Sequence, residues 1–258
     1  MTGVQTCALP ISSVHELNAA LVGAEFGEIT RRGKYLLFEL HRSRGGKSRH
    51  LLGHLGMTGR MYLLPVGAAL PKHAAVVLGL GRANFVFEDT RYFGRFTLDT
   101  SSVAQLGPEP LSDVFDADVL LASLRRSTQA IKVKLLDQSV VAGVGNIYAS
   151  EALFRAGISP RKPARKLSKL EAAALVKSIR AVLVQAVKCG STIPLDFAGA
   201  GGKDGLFYYG SAAGQSEFYE ERLRVYDRAG KPCTKCRTPI RRLVQAARST
   251  YFCPTCQR

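Results

Sequence analysis

Acidic residues are scarce in this chain. Twenty Asp and Glu face 36 Lys and Arg over 258 residues, a formal net charge of +16. An excess of that size points to a polyanionic partner, nucleic acid first and an anionic membrane surface second, with plain solubility as the uneventful alternative. Long apolar runs are missing too. No window approaches the ~18 uninterrupted apolar residues that span a bilayer, and the first residues lack the charged-then-apolar order of a secretion signal. A membrane partner is therefore not expected, and a cytosolic, reducing setting is. Cysteine is sparse, with six residues in the chain. A chain of this length that is 46% hydrophobic can bury its own core and has no need of a disulfide scaffold. Low-complexity tracts and fixed-period repeats are also lacking, which sets aside solenoids and propellers.

Four of the six cysteines stand together. Cys233-Thr-Lys-Cys236 and Cys253-Pro-Thr-Cys256 are separated by sixteen residues, giving C-x2-C-x16-C-x2-C. In that spacing each Cys-x-x-Cys turn offers two sulfurs to one tetrahedral zinc ion; a pair of disulfides is the alternative. Between the turns lie two short β-prone runs joined by a basic connection. The expectation is a hairpin closed by one structural zinc ion and carrying positive charge.

The residues before this hairpin divide in two by periodicity. After a short helix predicted from Ser12 to about Val22, the runs 35–40, 49–55, 60–64, 74–80, 84–88 and 95–98 read as strands of an antiparallel sandwich. Leu106-Gly-Pro-Glu-Pro-Leu-Ser112 reads as a linker, because its prolines and glycine suit neither a helix interior nor a central strand. Beyond it the period is helical. Helices are predicted over 117–124, 130–136, 146–156 and about 170–188, the last opened by a capping box at Ser168 and Glu171. The turn Val141-Ala-Gly-Val-Gly-Asn146 presents backbone amides at a helix N-terminus, where Gly143, Gly145 and Asn146 can hold a phosphate; a simple N-cap is the plainer role for Asn146. The fold class is α+β multidomain, with 12–112 a β-sandwich, 113–230 helical and 231–258 the zinc hairpin. A Gly-rich segment from about Gly199 to Gln215 reads as a mobile loop.

Taken in order, Arg31-Arg-Gly-Lys-Tyr-Leu-Leu37, His54-Leu-Gly-Met-Thr-Gly59, Asp89-Thr-Arg-Tyr-Phe-Gly94, Leu106-Gly-Pro-Glu-Pro-Leu111, Gly143-Val-Gly-Asn-Ile-Tyr-Ala-Ser-Glu151 and the cysteine hairpin resemble the bacterial formamidopyrimidine-DNA glycosylases. The resemblance runs from about Ser12 to the end and favours this branch over the related endonuclease VIII branch. It implies a helix-two-turn-helix in the helical domain and removal of oxidised purines from double-stranded DNA, followed by lyase cleavage at the abasic site. It also implies a bacterial, nucleoid-associated monomer. By the same resemblance Lys34 contacts phosphate beside the lesion and assists proton transfer, and Arg248 holds a neighbouring phosphate and serves the second elimination. His54 and His73 touch the DNA backbone, although Ala75 stands where many relatives have a second histidine. Met57, Arg91 and Phe93 match the residues that enter the duplex when a damaged nucleotide is flipped out; core packing is the bland alternative for Met57 and Phe93. Arg125, Arg126 and Lys132 look like backbone-gripping charge.

One departure matters. Relatives open, once methionine is removed, on Pro-Glu-Leu-Pro-Glu, whose terminal secondary amine attacks the sugar. The first eleven residues here, Met1 to Ile11, have no charge and no period and resemble a translated sequencing adapter, a non-native leader. Pro10 cannot substitute, since an internal proline nitrogen is an amide without a free lone pair. The sandwich is accordingly expected to lack its first strand and helix, and this polypeptide to be unable to excise bases. A zinc-dependent binder of damaged or bent DNA that has shed its nucleophile stays open as an alternative. A ribosome-type zinc ribbon binding RNA would explain the charge and the cysteines, but not Met57, Arg91 and Phe93.

Overall fold

The computed structural model describes residues 4–6, 12–42, 48–189 and 223–258; the Gly199–Gln215 loop and Pro10 lie outside the described residues. Two compact units emerge, dividing between Ala104 and Gln105.

The first unit is a sandwich of two four-stranded antiparallel sheets. Strands β1 (Val4–Thr6), β6 (Ala74–Gly79), β7 (Ala83–Glu88) and β5 (Arg60–Pro65) form one, in that order. The other runs β2 (Ala24–Arg32), β3 (Tyr35–Arg42), β4 (Arg49–His54), β8 (Arg95–Thr97). Alternating apolar residues from both sheets meet inside, with Phe38, Leu51, Val76, Phe85, Phe87 and Phe96 at the centre. The rings of Phe85 and Phe96 stack at 6.0 Å and Phe38 meets Phe85 edge-on at 5.8 Å, so aromatic area supplies much of this core. Helix α1 (Val14–Leu21) opens on a capping box between Ser13 and Glu16 and buries Leu17 and Leu21 in the same core. A four-residue helix, α2 (Ser101–Ala104), ends the unit.

Two features of this unit differ from expectation. Within the expected leader, Val4–Thr6 pairs antiparallel with Leu78, Val77 and Val76 of β6. A sheet edge offers N–H and C=O groups to any extended segment, so this pairing needs no side-chain pattern to announce it. Strand β2 also runs nine residues before the turn, where the sequence shows no alternating apolar run. Its exposed charges and glycine hide a strand that is recruited by β3 across a bulge between Phe26 and Ile29.

The second unit contains α3 (Ala117–Leu124), α4 (Ile131–Leu136), α5 (Asn146–Ala156), α6 (Lys169–Cys189) and a hairpin of β9 (Arg241–Gln245) and β10 (Arg248–Phe252). Leu120, Leu124, Leu135, Leu153, Leu175 and Ile179 pack together from all four helices. The capping box that starts α6 is present, with Glu171 N–H donating to Ser168 Oγ at 3.2 Å and Ser168 N–H to the Glu171 carboxylate at 2.9 Å. The Gly-Pro segment is not a free spacer. Gly107 N–H donates to the Gln138 carbonyl and Ala142 N–H to the Pro108 carbonyl, and a Cβ on Gly107 would lie 2.4 Å from the Ser139 oxygen. Nor is the hairpin an appendage, for Phe154 of α5 packs with Val225, Cys233, Ile240 and Tyr251.

The hairpin turn is strained. Ala246 and Ala247, the two central residues, have φ of 46° and 57°, a type I′ geometry that asparagine and glycine adopt far more readily. Replacing the pair by Asn-Gly should raise the stability of this unit by about 1 kcal/mol in a denaturant titration, with the slope unchanged.

Candidate nucleic-acid interface

In the first unit, five of the expected contact residues gather around one carboxylate that the sequence did not single out. Asp89, fully buried, follows β7. Its Oδ1 accepts from Thr58 Oγ1 at 2.5 Å and from Arg91 N–H at 3.2 Å, while Oδ2 accepts from Gly94 N–H at 2.8 Å. Its own N–H donates to the His73 carbonyl at 3.0 Å. The loops 55–59 and 90–94 also touch backbone to backbone. Gly56, at φ 63°, sits where a Cβ would lie 2.7 Å from Gly94 N, and Gly94 is pressed against the Phe87 ring and the His54 carbonyl.

That knot leaves the tips of both loops in solvent. Met57 is 64% exposed and Phe93 56%, which overturns core packing as the explanation for either. The Arg91 guanidinium lies over the Phe93 ring at 4.9 Å. Beside them, His54 accepts from Gly56 N–H on Nδ1 at 3.0 Å, so a neutral imidazole carries its proton on Nε2. Burial, then the nearby Lys34 and Arg95 cations, hold His54 below the usual histidine range and keep it neutral. Lys34 is exposed on the turn after Gly33, at φ 58°. His73 meets the Tyr92 ring at 6.3 Å, and Ala75 is buried within β6.

In the second unit the structure places Asn146, Arg248 and Lys132 together, but with altered parts. Lys132 is fully buried. Its ammonium donates to Asn146 Oδ1 at 2.6 Å, Thr250 Oγ1 at 2.7 Å and the Ser249 carbonyl at 2.8 Å, so all three N–H groups have acceptors within the protein. The expectation that it grips a DNA backbone is corrected accordingly: it ties α4 to α5 and β10. Burial, then the neighbouring Arg248 charge, lower its pKa to about 8. Asn146 is the first residue of α5, while the cap is Gly145 and no side chain satisfies the helix's first amides. The simple N-cap reading of Asn146 thus fails; its carboxamide also donates to the Ser249 carbonyl at 3.0 Å. Gly143 N–H is taken by Gln138 Oε1 at 2.9 Å, and Gln138 in turn donates to the Leu136 and Val144 carbonyls. What α5 offers an anion is therefore its own first turn rather than the Gly143 amide. Arg248 is exposed at the start of β10, and Arg125 and Arg126 are exposed on the turn after α3.

Glu151, quoted in the α5 motif without a role, is buried and accepts from the backbone N–H groups of Arg224, Val225 and Tyr226 at 2.8–2.9 Å. Burial pushes its carboxyl up in pKa, against the pull of these three donors. The bonds fix the segment that leads into the cysteine hairpin.

The four cysteine sulfurs lie within 4.8 Å of one another. Cys233 and Cys256 are 3.9 Å apart and Cys236 and Cys253 3.4 Å, close to the ~3.8 Å edge of a tetrahedron with ~2.3 Å zinc–sulfur bonds. The two knuckles match: Arg237 N–H closes on the Cys233 carbonyl as Gln257 N–H does on Cys253. Side-chain and backbone hydrogen bonds from Thr238 lower Cys236 to about 6, which favours its thiolate form. Four sulfurs fill the coordination sphere of one structural zinc ion and leave no open position for water.

An exposed aromatic-cationic cluster on a sandwich, and a basic four-cysteine hairpin bonded to a helix N-terminus, fit a zinc-bearing nucleic-acid-binding protein. Comparison with known proteins narrows that class. Residues 4–96 match the formamidopyrimidine-DNA glycosylase N-terminal domain, 106–196 its H2TH domain and 230–258 the zinc finger found in FPG and IleRS. The formamidopyrimidine-DNA glycosylase of Thioalkalivibrio sulfidiphilus is 40% identical over 250 residues, covering 94% of this chain and 86% of that protein. That of Carboxydothermus hydrogenoformans is 38% identical, covering 95% and 86%. A Lactococcus lactis FPG mutant bound to Fapy-dG-containing DNA superposes with a TM-score of 0.83 at 30% identity, over 99% of this chain and 91% of that one. The Lactococcus lactis enzyme bound to abasic-site DNA gives 0.82 at 30% identity, with the same coverage. The chain belongs to the formamidopyrimidine-DNA glycosylase family, whose members are base-excision repair enzymes. No helix among the described residues is long and apolar enough to cross a membrane.

Proposed function

We propose that this chain recognises oxidised purines, 8-oxoguanine and formamidopyrimidines, in duplex DNA, with the damaged nucleotide turned out and Met57, Arg91 and Phe93 filling the gap. The single observation that carries this reading is the exposure of those three side chains on two loops locked to one buried carboxylate. Extruding a base costs a few kcal/mol of lost stacking, which inserted side chains offset in part. The Arg91 donors suit the edge of the orphaned partner base. Lys34, His54, His73, Arg126 and Arg248 hold backbone phosphates, His54 through its Nε2–H and the first turn of α5 through its amides and dipole. Lys132 and the Asn146 carboxamide act behind that turn, orienting it against the hairpin. The chain works as a monomer on bacterial chromosomal DNA, to which its net positive charge draws it.

The complete reaction joins base excision to strand cleavage at the abasic site by β,δ-elimination, with Lys34 moving protons and Arg248 serving the second elimination. A second reading is a non-catalytic, zinc-dependent binder of damaged or bent DNA. The Lys34 primary amine can condense with an abasic aldehyde, releasing water to form a Schiff base.

Borohydride trapping on an 8-oxoguanine duplex, run beside fluorescence-anisotropy binding to abasic and undamaged duplexes, tests both parts. The expected result is a clear preference for the abasic duplex. A covalent adduct with 8-oxoguanine favours the excising enzyme, and its absence the non-catalytic binder. Equal affinity for damaged and intact DNA would overturn damage recognition.

A further inference from the structure

We propose that Asp89 is a positioning residue which makes Met57, Arg91 and Phe93 a single wedge, assembled before DNA arrives. This rests on the insertion of those side chains proposed above, and it adds the residue that sets their relative geometry. Asp89 is fully buried, so it touches no base or phosphate itself. Yet its two oxygens take one donor from the loop bearing Met57, through Thr58, and two from the loop bearing Arg91 and Phe93, through the Arg91 and Gly94 amides. Its N–H adds the His73 strand end.

Physical consequences follow from that sharing. Two independent loops would each lose backbone freedom on entering a duplex. Loops already locked to one carboxylate, with Gly56 against Gly94 and Tyr92 held at φ 54°, have lost it in the free protein. Preorganisation of this kind improves the complex in which the wedge is inserted and leaves unspecific contact with intact duplex unaffected. Asp89 should therefore control the preference for damaged over undamaged DNA rather than affinity as such. Asparagine is its nearest isostere, but turns an acceptor into an NH2 group facing an N–H or hydroxyl donor.

The test compares Asp89→Asn, Thr58→Val and Thr58→Ser with the unaltered chain. Affinity for a stable abasic-site duplex is measured against the same duplex undamaged, with 2-aminopurine fluorescence opposite the site reporting local unstacking. Asp89→Asn is expected to lower the damaged-to-undamaged affinity ratio by ~10-fold or more, and to weaken the fluorescence rise, with affinity for undamaged duplex within about two-fold of the parent. Thr58→Val should shift the ratio the same way by about three-fold, and Thr58→Ser, which keeps the hydroxyl, should restore it. An unchanged ratio in a folded Asp89→Asn protein overturns the proposal. Should Asp89→Asn not fold, the threonine pair decides, and a Thr58→Val ratio equal to the parent's overturns it. A Met57→Ala/Phe93→Ala protein separates the two layers: if its ratio is unchanged, insertion itself fails and the proposal with it. If its ratio falls while Asp89→Asn keeps the parent ratio, positioning alone fails.

Discussion

Replacing Cys253 by serine, or stripping the metal with a chelator, is expected to unfold the β9–β10 hairpin and lower affinity for duplex DNA by about 100-fold or more. Two five-residue strands with Val244 and both alanines of the turn exposed cannot hold themselves in water. Structural zinc in small finger domains contributes on the order of 10–16 kcal/mol, and that binding energy is the folding energy of the hairpin. The loss would not stay local. Ser249 and Thr250 supply two of the three acceptors of the buried Lys132 ammonium, so a melted hairpin strands a charge inside the helical unit and frees Asn146. Arg248 loses its place at the same time. Zinc content by mass spectrometry, the thermal unfolding curve and anisotropy on an abasic duplex should fall together. Full DNA affinity in a protein shown to be zinc-free would refute the linkage.

Lys132→Met is the second large effect. The methionine fills the volume but leaves Asn146 Oδ1, Thr250 Oγ1 and the Ser249 carbonyl without their common donor, at a cost of about 3 kcal/mol, or ~10 °C in the melting temperature. Weaker DNA binding should accompany this, although Lys132 is buried. Its pH dependence has a definite sign. The folded-state pKa is about 8, below the unfolded value of 10.5. Between those values the unfolded chain binds more protons than the folded one, so the contribution of this lysine to stability rises with pH across about 8 to 10.5. Below that window both states carry the charge and the cost of burying it is fully present. The stability gap between parent and Lys132→Met should therefore widen on going from pH 7 to pH 10. A gap that narrows over that range would show that the three hydrogen bonds, rather than burial, govern the titration.

Much of this architecture was legible residue by residue. The predicted spans 117–124 and 146–156 coincide with α3 and α5, because apolar residues there recur at helical spacing. Strands β3 to β8 fall where short β-prone runs lie between glycine, proline and charge. The cysteine spacing alone implied the hairpin and its metal, since the geometry of tetrahedral thiolate coordination is local to two four-residue turns. Strands β1 and β2 were not legible in full, because edge pairing is set by the partner strand and not by the residues that join it.

The site divides in the same way. The family motifs were enough to name Met57, Arg91 and Phe93 as candidates, and the structure adds that Met57 and Phe93 are exposed. What the sequence could not reveal is which polar residues turn inward. Asp89 reads as one more surface acid in Asp-Thr-Arg-Tyr-Phe-Gly, and Lys132 as one more cation in a basic chain. Only the folded arrangement brings Thr58 to the first, and Ser249 and Thr250, more than a hundred residues away, to the second. A charge is inside or outside according to whether distant donors and acceptors converge on it, and that convergence exists only once the chain has folded.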